Sequence, residues 1–541
     1  MQKRFGGLER KDKEVRKSVL LFFLLFSLSS WAKEHRVVIL STNDLHGALK
    51  GSPTMGGFAF IASAIQEIRR QEDVLLLDAG DCFQGELPVN KGEGLACVKF
   101  FNRLSYDATT IGNHEFDYLY CDNGDVLIYN DELCALKRAL SFAAYPIVIC
   151  NVKDMDGNSI PYTKEFVIVE KGGIRFGITG VLTPKTKTHY SPMGTKNLVF
   201  SDPVEALKKT GQNMKKAGAD VIVVLAHLEG EVKGGNLTDE LAKVAEAKVA
   251  DIVVAGHAHS IIVWNEGQTK VMEASSEGKF LGFATVVIEK KKGKVVRKDI
   301  VVHSPLSICK KEEGAYCSSS YQGFQRITDP SPEILELVTE EYKTVEEMCR
   351  RVVVRAEESV TNEKGIESEM ANLTADLMRE SIKGASFAFI NKGAVRGAIE
   401  SGDVTYCDIA KVWPFEDSLM VFELSGDEIE ALFEFAIKKV GKIFAISGLR
   451  IDGCRGVVFE DGSKPLKDKI YLGVTTAFLV TGGDRMDEFF SRLARRAKKA
   501  DERPFRDVLV ETLMAKGSIR KPEMNRVNLK CDEVKGEDYI F

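Results

Sequence analysis

The sequence predicts a layered α/β protein of two domains, on three observations. Short apolar runs alternate with amphipathic helical segments over residues 35–305. That periodicity disappears between Pro305 and Pro332. The length, 541 residues, exceeds what one hydrophobic core usually supports. Hydrophobic content of 44% and charged content of 28% are those of an ordinary globular protein. A formal charge of −5 offers no basic footprint for a nucleic acid polymer.

Taken in chain order, the first element is an export signal. A basic stretch from Lys3 to Lys17 precedes the apolar run Val19–Leu28 and then Ser30-Trp31-Ala32. This order fits a secretory signal peptide over residues 1–32, cleaved after Ala32, with an uncleaved anchor as the alternative. The apolar core is short for a membrane span, so the mature protein is expected in the periplasm, secreted or at the cell surface.

Residues 33–328 form the first expected domain. Val37–Leu40, Val74–Leu77, Thr109–Ile111, Val221–Leu225 and Ile252–Ala255 read as buried strands, being short apolar runs bounded by Gly and Asp. Gly94–Arg103 reads as a helix between two of them. Residues 329–351 read as a linker helix: Asp329-Pro330 and Ser331-Pro332 end a polar stretch, and Ile334, Leu337, Val338, Tyr342, Val345 and Met348 then recur at helical spacing. Residues 352–541 form a smaller α+β domain, with helices over Asn372–Lys383 and Gly426–Lys439 and strands over Phe387–Ile390, Leu419–Leu424 and Ile470–Thr475. Eleven cysteines suit an oxidising compartment. Cys121 with Cys134, and Cys309 with Cys317, flank polar loops and are disulfide candidates, whereas Cys82 reads as a buried free thiol.

Each apolar run of the first domain is followed by residues that bind metals: Asp44 and His46, Asp81, Asn113, His227, then His257 and His259. Strand ends drawn from distant parts of a chain converge at one edge of a sheet. Side chains two apart on an extended strand face the same way, so Asp44 and His46 are expected to grip one ion together, and His257 and His259 are both expected to face the site. Seven donors exceed what one tetrahedral ion takes, and two divalent ions sharing the Asp81 carboxylate resolve the excess. Nitrogen and oxygen donors without thiolate suit zinc, manganese or iron. His35, His189 and His303 lack this context and read as structural.

The segments Asn43-Asp44-Leu45-His46, Gly80-Asp81, Gly112-Asn113-His114-Glu115, Ala226-His227 and Gly256-His257-Ala258-His259 together resemble the signature of metallophosphoesterases. Gly112-Asn113-His114-Glu115-Phe116-Asp117 is similar to the form found in the 5′-nucleotidase family, and the likeness covers nearly the whole mature chain. It implies a β-sandwich flanked by helices for the first domain, where alternation alone suggests a single doubly wound sheet. It implies one ion held by Asp44, His46, Asp81 and His259 and a second by Asp81, Asn113, His227 and His257. Relatives often carry Gln where this chain has His259, a departure that bears on metal preference. His114 and Asp117 match a His–Asp pair, with His114 stabilising the transition state or protonating the leaving group.

In the second domain, Asn391-Lys392-Gly393-Ala394-Val395-Arg396 resembles a substrate-binding segment, which implies substrate contacts from Asn391 and Arg396. Trp413-Pro414-Phe415 and Phe478–Asp484 imply a base sandwiched between Phe415 and Phe478, with Asp484 accepting from ribose hydroxyls. Three departures stand out. Lys364–Glu369, ahead of Asn372-Leu373, lacks the arginine the family carries there. Lys392 replaces a Gly and is expected to restore that charge or narrow the pocket. The loop Tyr118–Ala139 is extra and is expected to border the site. The implied activity is release of phosphate from a small-molecule nucleotide through a metal-bridging hydroxide. UDP-sugar or dinucleotide pyrophosphate cleavage and 2′,3′-cyclic phosphodiesterase activity are the alternatives. A thiosulfohydrolase has no use for an aromatic clamp, and a catalytically idle surface protein binding a nucleoside or partner is the reading from another class.

Overall fold

The computed structural model describes residues 32–309 and 329–529, apart from 53–54, 119–120, 123–126, 129–130, 454, 494–495 and 502. All but the last residue of the expected signal peptide, and Cys317, lie outside the described residues.

The apolar runs of the first domain are strands of two sheets, not one. A seven-stranded sheet is ordered 294–307, 280–291, 33–42, 74–78, 108–109, 147–148, 163–164. A six-stranded sheet is ordered 261–264, 270–274, 252–256, 221–227, 174–182, 166–171. The two-residue period of a strand explains why the runs are apolar throughout. Val37, Ile39, Leu75 and Leu77 meet Val223, Leu225, Ile252 and Val254 in the core between the sheets. Their neighbours Val38, Leu40, Val74 and Leu76 face outward, onto the helices Phe58–Arg69 and Leu95–Arg103. Ile222, Val224, Val253 and Ala255 likewise face the helices Pro203–Lys216 and Asp239–Glu246. The result is a helix–sheet–sheet–helix sandwich.

The linker differs from one continuous helix. It is two helices, Pro332–Lys343 and Glu346–Arg350, broken at Thr344-Val345, a β-branched pair that helices tolerate poorly. Ile334, Leu337 and Val338 pack on the first core, whereas Val345 belongs to the next. That second region is built on a five-stranded sheet ordered 445–447, 387–390, 470–476, 419–425, 498–499. Ala388 and Ile390 face one core, with the helices Glu369–Glu380 and Phe505–Lys516, while Phe387 and Phe389 face the other. The helix expected over Gly426–Lys439 is α-helical to Glu434 and continues as a π turn over Phe435–Val440.

Cys121 and Cys134 are paired, and so are Cys349 and Cys407. Cys309 is disulfide-bonded. Cys82 corrects the expectation of a free thiol, since it is bonded to Cys97. The helix Leu95–Arg103 lies on the outer face of the sheet that Cys82 follows, and this brings the two sulfurs together. The free thiol among the described residues is the buried Cys150.

Candidate metal centre and substrate cleft

The five ligand-bearing segments leave their strands at one rim of the sandwich, where the sheets stop and backbone turns take over. Asp44, His46, Asp81, His257 and His259 all have positive φ, of 47°, 44°, 61°, 92° and 56°. The expectation that strand alternation aims these pairs is therefore wrong, because none of the five has extended backbone. Each is a non-glycine residue in the left-handed region, a conformation that costs on the order of 1–2 kcal/mol and concentrates at functional sites. Glycines bring the turns close. A Cβ on Gly80 would stand 2.6 Å from the Gly112 nitrogen, and one on Gly112 would stand 2.1 Å from Asp81 Oδ1.

Three groups of donor atoms result, each within 4.8 Å of one another: Asp44, His46 and His259; His46, Asp81 and His114; and Asp81, His227 and His257. His46 Nε2 and His259 Nε2 are 3.0 Å apart. His227 Nε2 is 3.1 Å from Asp81 Oδ2 and 3.2 Å from Asn113 Oδ1, while its Nδ1–H donates to the Ala79 carbonyl at 2.9 Å. That outer hydrogen bond orients the ring so that Nε2 faces the ligand cluster. Asp44 is held by the His257 N–H at 3.0 Å and by Asn43 Nδ2 at 2.7 Å.

The charges are poised for metal. Burial, with Asp81 close by, pushes the Asp44 carboxyl up to about 7. Burial also raises Asp81, but the imidazoles of His227 and His114 outweigh it and hold this carboxyl well below its usual range. Burial and then Arg396 bring His259 down to about 4, and burial lowers His46 and His257 well below their ordinary value. Neutral imidazoles at His46, His257 and His259 and an ionised Asp81 are the states that divalent cations require. At His227, by contrast, the Asp81 carboxylate outweighs burial and raises the imidazole to about 10, so metal would bind there by displacing a proton. Six nitrogen and carboxylate donors plus the Asn113 amide, with no thiolate among them, fit two such ions.

His114 faces the same rim. Its Nδ1–H donates to Asp117 Oδ2 at 2.6 Å, and its backbone N–H donates to Asp81 Oδ1 at 2.8 Å. Burial lowers the imidazole, but the carboxylates of Asp117 and Asp81 outweigh burial and raise it above its ordinary value. Arg396 reaches across from the second region and donates from Nη2 to His114 Nε2 at 3.3 Å. The Arg396 guanidinium lies over the Phe415 ring at 5.6 Å, and the Phe415 and His114 rings are 5.9 Å apart.

A cavity of about 1480 Å³ opens from this point and is lined by Asn391, Arg396, Phe415, Phe478 and Asp484. All the residues expected to touch substrate therefore share one cleft with His114 and Asp117. Asn391 Oδ1 is buried without a hydrogen-bond partner. Asp484, in left-handed backbone with φ of 52°, is paired with Lys442 at 3.1 Å. Tyr118 and Glu132 of the extra loop line the same cleft.

Some residues of the site went unread in the sequence. Glu115 is buried and accepts the backbone N–H groups of Asp81, Cys82, Phe83 and Gly112 at 3.0, 2.7, 3.1 and 2.7 Å, tying two ligand loops together. Its place in Gly112-Asn113-His114-Glu115-Phe116, inside a ligand-bearing segment and before an apolar residue, is the signal the sequence offers. Ser191 Oγ lies 3.1 Å from both Asp117 Oδ1 and the Asn113 carbonyl, and nothing in the local sequence marks it.

Comparison with known proteins gives a consistent picture. Residues 37–260 match the calcineurin-like phosphoesterase family, and residues 347–492 match the 5′-nucleotidase C-terminal domain. The 5′-nucleotidase of Rattus norvegicus is 27% identical over 545 residues, covering 86% of this chain and 86% of that protein. Endonuclease YhcR of Bacillus subtilis is 27% identical over 82% of this chain, but the chain spans only 37% of that protein's length. The crystal structure of a 5′-nucleotidase precursor from Thermus thermophilus shares the fold, with a TM-score of 0.72 at 24% identity, over 91% of this chain and 99% of that one.

Proposed function

Since the chain belongs to the 5′-nucleotidase family of calcineurin-like phosphoesterases and is a phosphoric ester hydrolase, we propose that it releases phosphate from nucleoside 5′-monophosphates. The observation that carries this reading is the single cleft joining the His114–Asp117 pair to Arg396, Phe415 and Phe478. Labour is divided between a metal-holding unit, residues 33–328, and a substrate-holding unit, residues 352–541, joined through 329–351.

Asp44, His46, Asp81 and His259 would hold one divalent ion, and Asp81, Asn113, His227 and His257 the other. When bound, the two ions lower the pKa of water and neutralise charge on phosphoryl oxygens. Arg396 meets the phosphate with its guanidinium fork, which suits phosphate oxygens better than a point charge does. His114, raised by Asp117, takes up a proton on Nε2 once Arg396 turns from that nitrogen to the phosphate, and delivers it to the departing ribose oxygen. Phe415 and Phe478 take the base by stacking, which tolerates any base because every base has a π-face. Asp484 accepts from ribose hydroxyls, in competition with Lys442.

A second reading draws on cavity size. About 1480 Å³ is more than the 300–1,000 Å³ of usual small-molecule sites, which favours UDP-sugars or dinucleotides as additional substrates. The protein acts outside the cytoplasm in this proposal, after removal of residues 1–32. The basic-then-apolar N-terminal sequence and the disulfides support that. Among the described residues, no helix is long and apolar enough to cross a membrane.

The test is phosphate release from AMP, UDP-glucose, NAD and 2′,3′-cyclic AMP by metal-replete protein, with and without a chelator. Chelator-sensitive release from AMP is expected. No turnover of any of these esters would overturn the proposal.

A further inference from the structure

Lys392 is used by no step of the proposed chemistry, yet it stands between Asn391 and Arg396 in the turn after the strand Phe387–Ile390. Its Nζ donates to two consecutive carbonyls of a neighbouring loop, those of Gly365 and Ile366, at 2.6 Å each. Residues 361–368 carry no helix or strand, so their carbonyls have no ladder to satisfy them. The loop is otherwise fastened near its ends. Asn362 Nδ2 donates to the Val395 carbonyl at 2.8 Å, and Glu367 accepts from Asn372 Nδ2 at 2.8 Å and from the Val527 N–H at 3.0 Å. Between these fixings, Ile366 is 55% exposed and lines the same cleft as Asn391, Phe415 and Phe478.

An ammonium engaged by two carbonyls is not available to replace a missing phosphate-binding arginine. Charge-assisted hydrogen bonds of this kind are stronger than neutral ones and hold the loop in one position. Of the two sequence expectations for Lys392, the geometry supports narrowing of the cleft and not restored charge.

We propose that Lys392 is a specificity-determining residue that clamps the loop 362–367, so that Ile366 forms an apolar wall against the nucleoside part of the substrate. The inference rests on the nucleotide reading above. It assigns affinity for the nucleoside, as distinct from the phosphate, partly to a loop–lysine contact that no catalytic group touches.

The experiment uses Lys392→Met, which keeps the aliphatic stem and removes the donors, with Lys392→Arg and Ile366→Ala beside it. Hydrolysis of p-nitrophenyl phosphate, an ester with no nucleoside to meet the loop, serves as the reference reaction, and adenosine is added as the expected competitor. Lys392→Met should raise the adenosine Ki and the AMP KM by about tenfold, the scale on which one hydrophobic contact discriminates, with the change in KM and not kcat. It should also speed tryptic cleavage after the exposed Lys364, and Lys392→Arg should restore both properties. Ile366→Ala should raise Ki without changing cleavage. An unchanged Ki in Lys392→Met or in Ile366→Ala overturns the proposal. If adenosine fails to inhibit the wild-type enzyme, the nucleotide reading falls, and the wall loses its role even where cleavage after Lys364 reports an intact clamp.

Discussion

Asp81 is the residue that both proposed ligand sets need. Oδ2 faces His227 Nε2 at 3.1 Å while Oδ1 accepts the His114 N–H at 2.8 Å, so its two oxygens point into different halves of the centre. Asp81→Asn keeps the shape and removes the charge. Metal content should fall for both ions, and hydrolysis should drop by more than the roughly 10–100-fold that changes outside the ligand set cause. Metal analysis of the purified variant beside its activity checks this, and a variant retaining two ions per chain would remove Asp81 from the bridging role. His114 makes the opposite prediction. Its imidazole is hydrogen-bonded to Asp117 and stands outside both proposed ligand sets, and the backbone N–H that reaches Asp81 survives truncation. His114→Ala should therefore keep both ions and lose roughly 10²–10⁴ in kcat, the usual worth of a general acid. Full activity in the metal-replete variant would exclude the His–Asp pair from the chemistry.

At the scale of elements, the turn after the strand Val74–Asp78 is fixed twice, by Glu115 and by the Cys82–Cys97 bond, which closes a separation of 15 residues. A loop of that length is worth about 3 kcal/mol in the chain-entropy account, so Cys97→Ser should lower the melting temperature of the first region, measured by calorimetry. The turn before the strand Leu419–Ser425 adds a pH dependence. Asp417 accepts the Phe478 N–H at 3.2 Å and the Ser418 N–H at 2.9 Å, and burial raises its carboxyl to about 6 from the ordinary 3.8. The native state thus keeps a proton that the unfolded chain releases. This contribution is full below pH 3.8 and is lost as pH rises through about 6. Asp417→Asn should gain stability relative to wild type as pH rises across that window, and a constant difference in melting temperature would contradict the assignment. These elements also mark what the sequence makes legible. Val37–Leu40 and Val221–Leu225 are readable as strands because both faces are buried, and their ends point to the ligands. The left-handed backbone at Asp44 and His257 is not readable, since periodicity describes only regular chain. The Cys82 partner was hidden because Cys97 comes from a helix on the far side of a turn. The Lys392 clamp depends on a loop 26 residues away in the chain.

Over the whole molecule, the metal centre is the place where the two sheets of the sandwich meet at their rim. Asp44, Asp81 and Asn113 follow strands of the seven-stranded sheet, while His227 ends, and His257 and His259 follow, strands of the six-stranded one. Between the sheets the contact is apolar and non-directional, but at the rim the buried carboxylates of Asp44, Asp78 and Glu273 crowd together and burial raises all three. Two divalent ions held by the proposed ligands would neutralise that crowding and cross-link the sheets, and so should stabilise this region by mass action, by about 4 kcal/mol at a thousand times the dissociation constant. The second region, with cores of its own around Phe389 and Met378, holds none of these donors. It meets the first through contacts such as Leu87 packed into its core, Asn90 Nδ2 to the Pro414 carbonyl at 2.8 Å and Arg396 to His114, while each region keeps cores of its own. Unfolding should therefore not be two-state. In scanning calorimetry the chelated protein should show one transition moved down by several degrees and another nearly unmoved, and adding zinc or manganese back should restore the first. Equal displacement of both transitions would mean that the ions stabilise the joint between the regions, and no displacement would mean that the rim binds no metal.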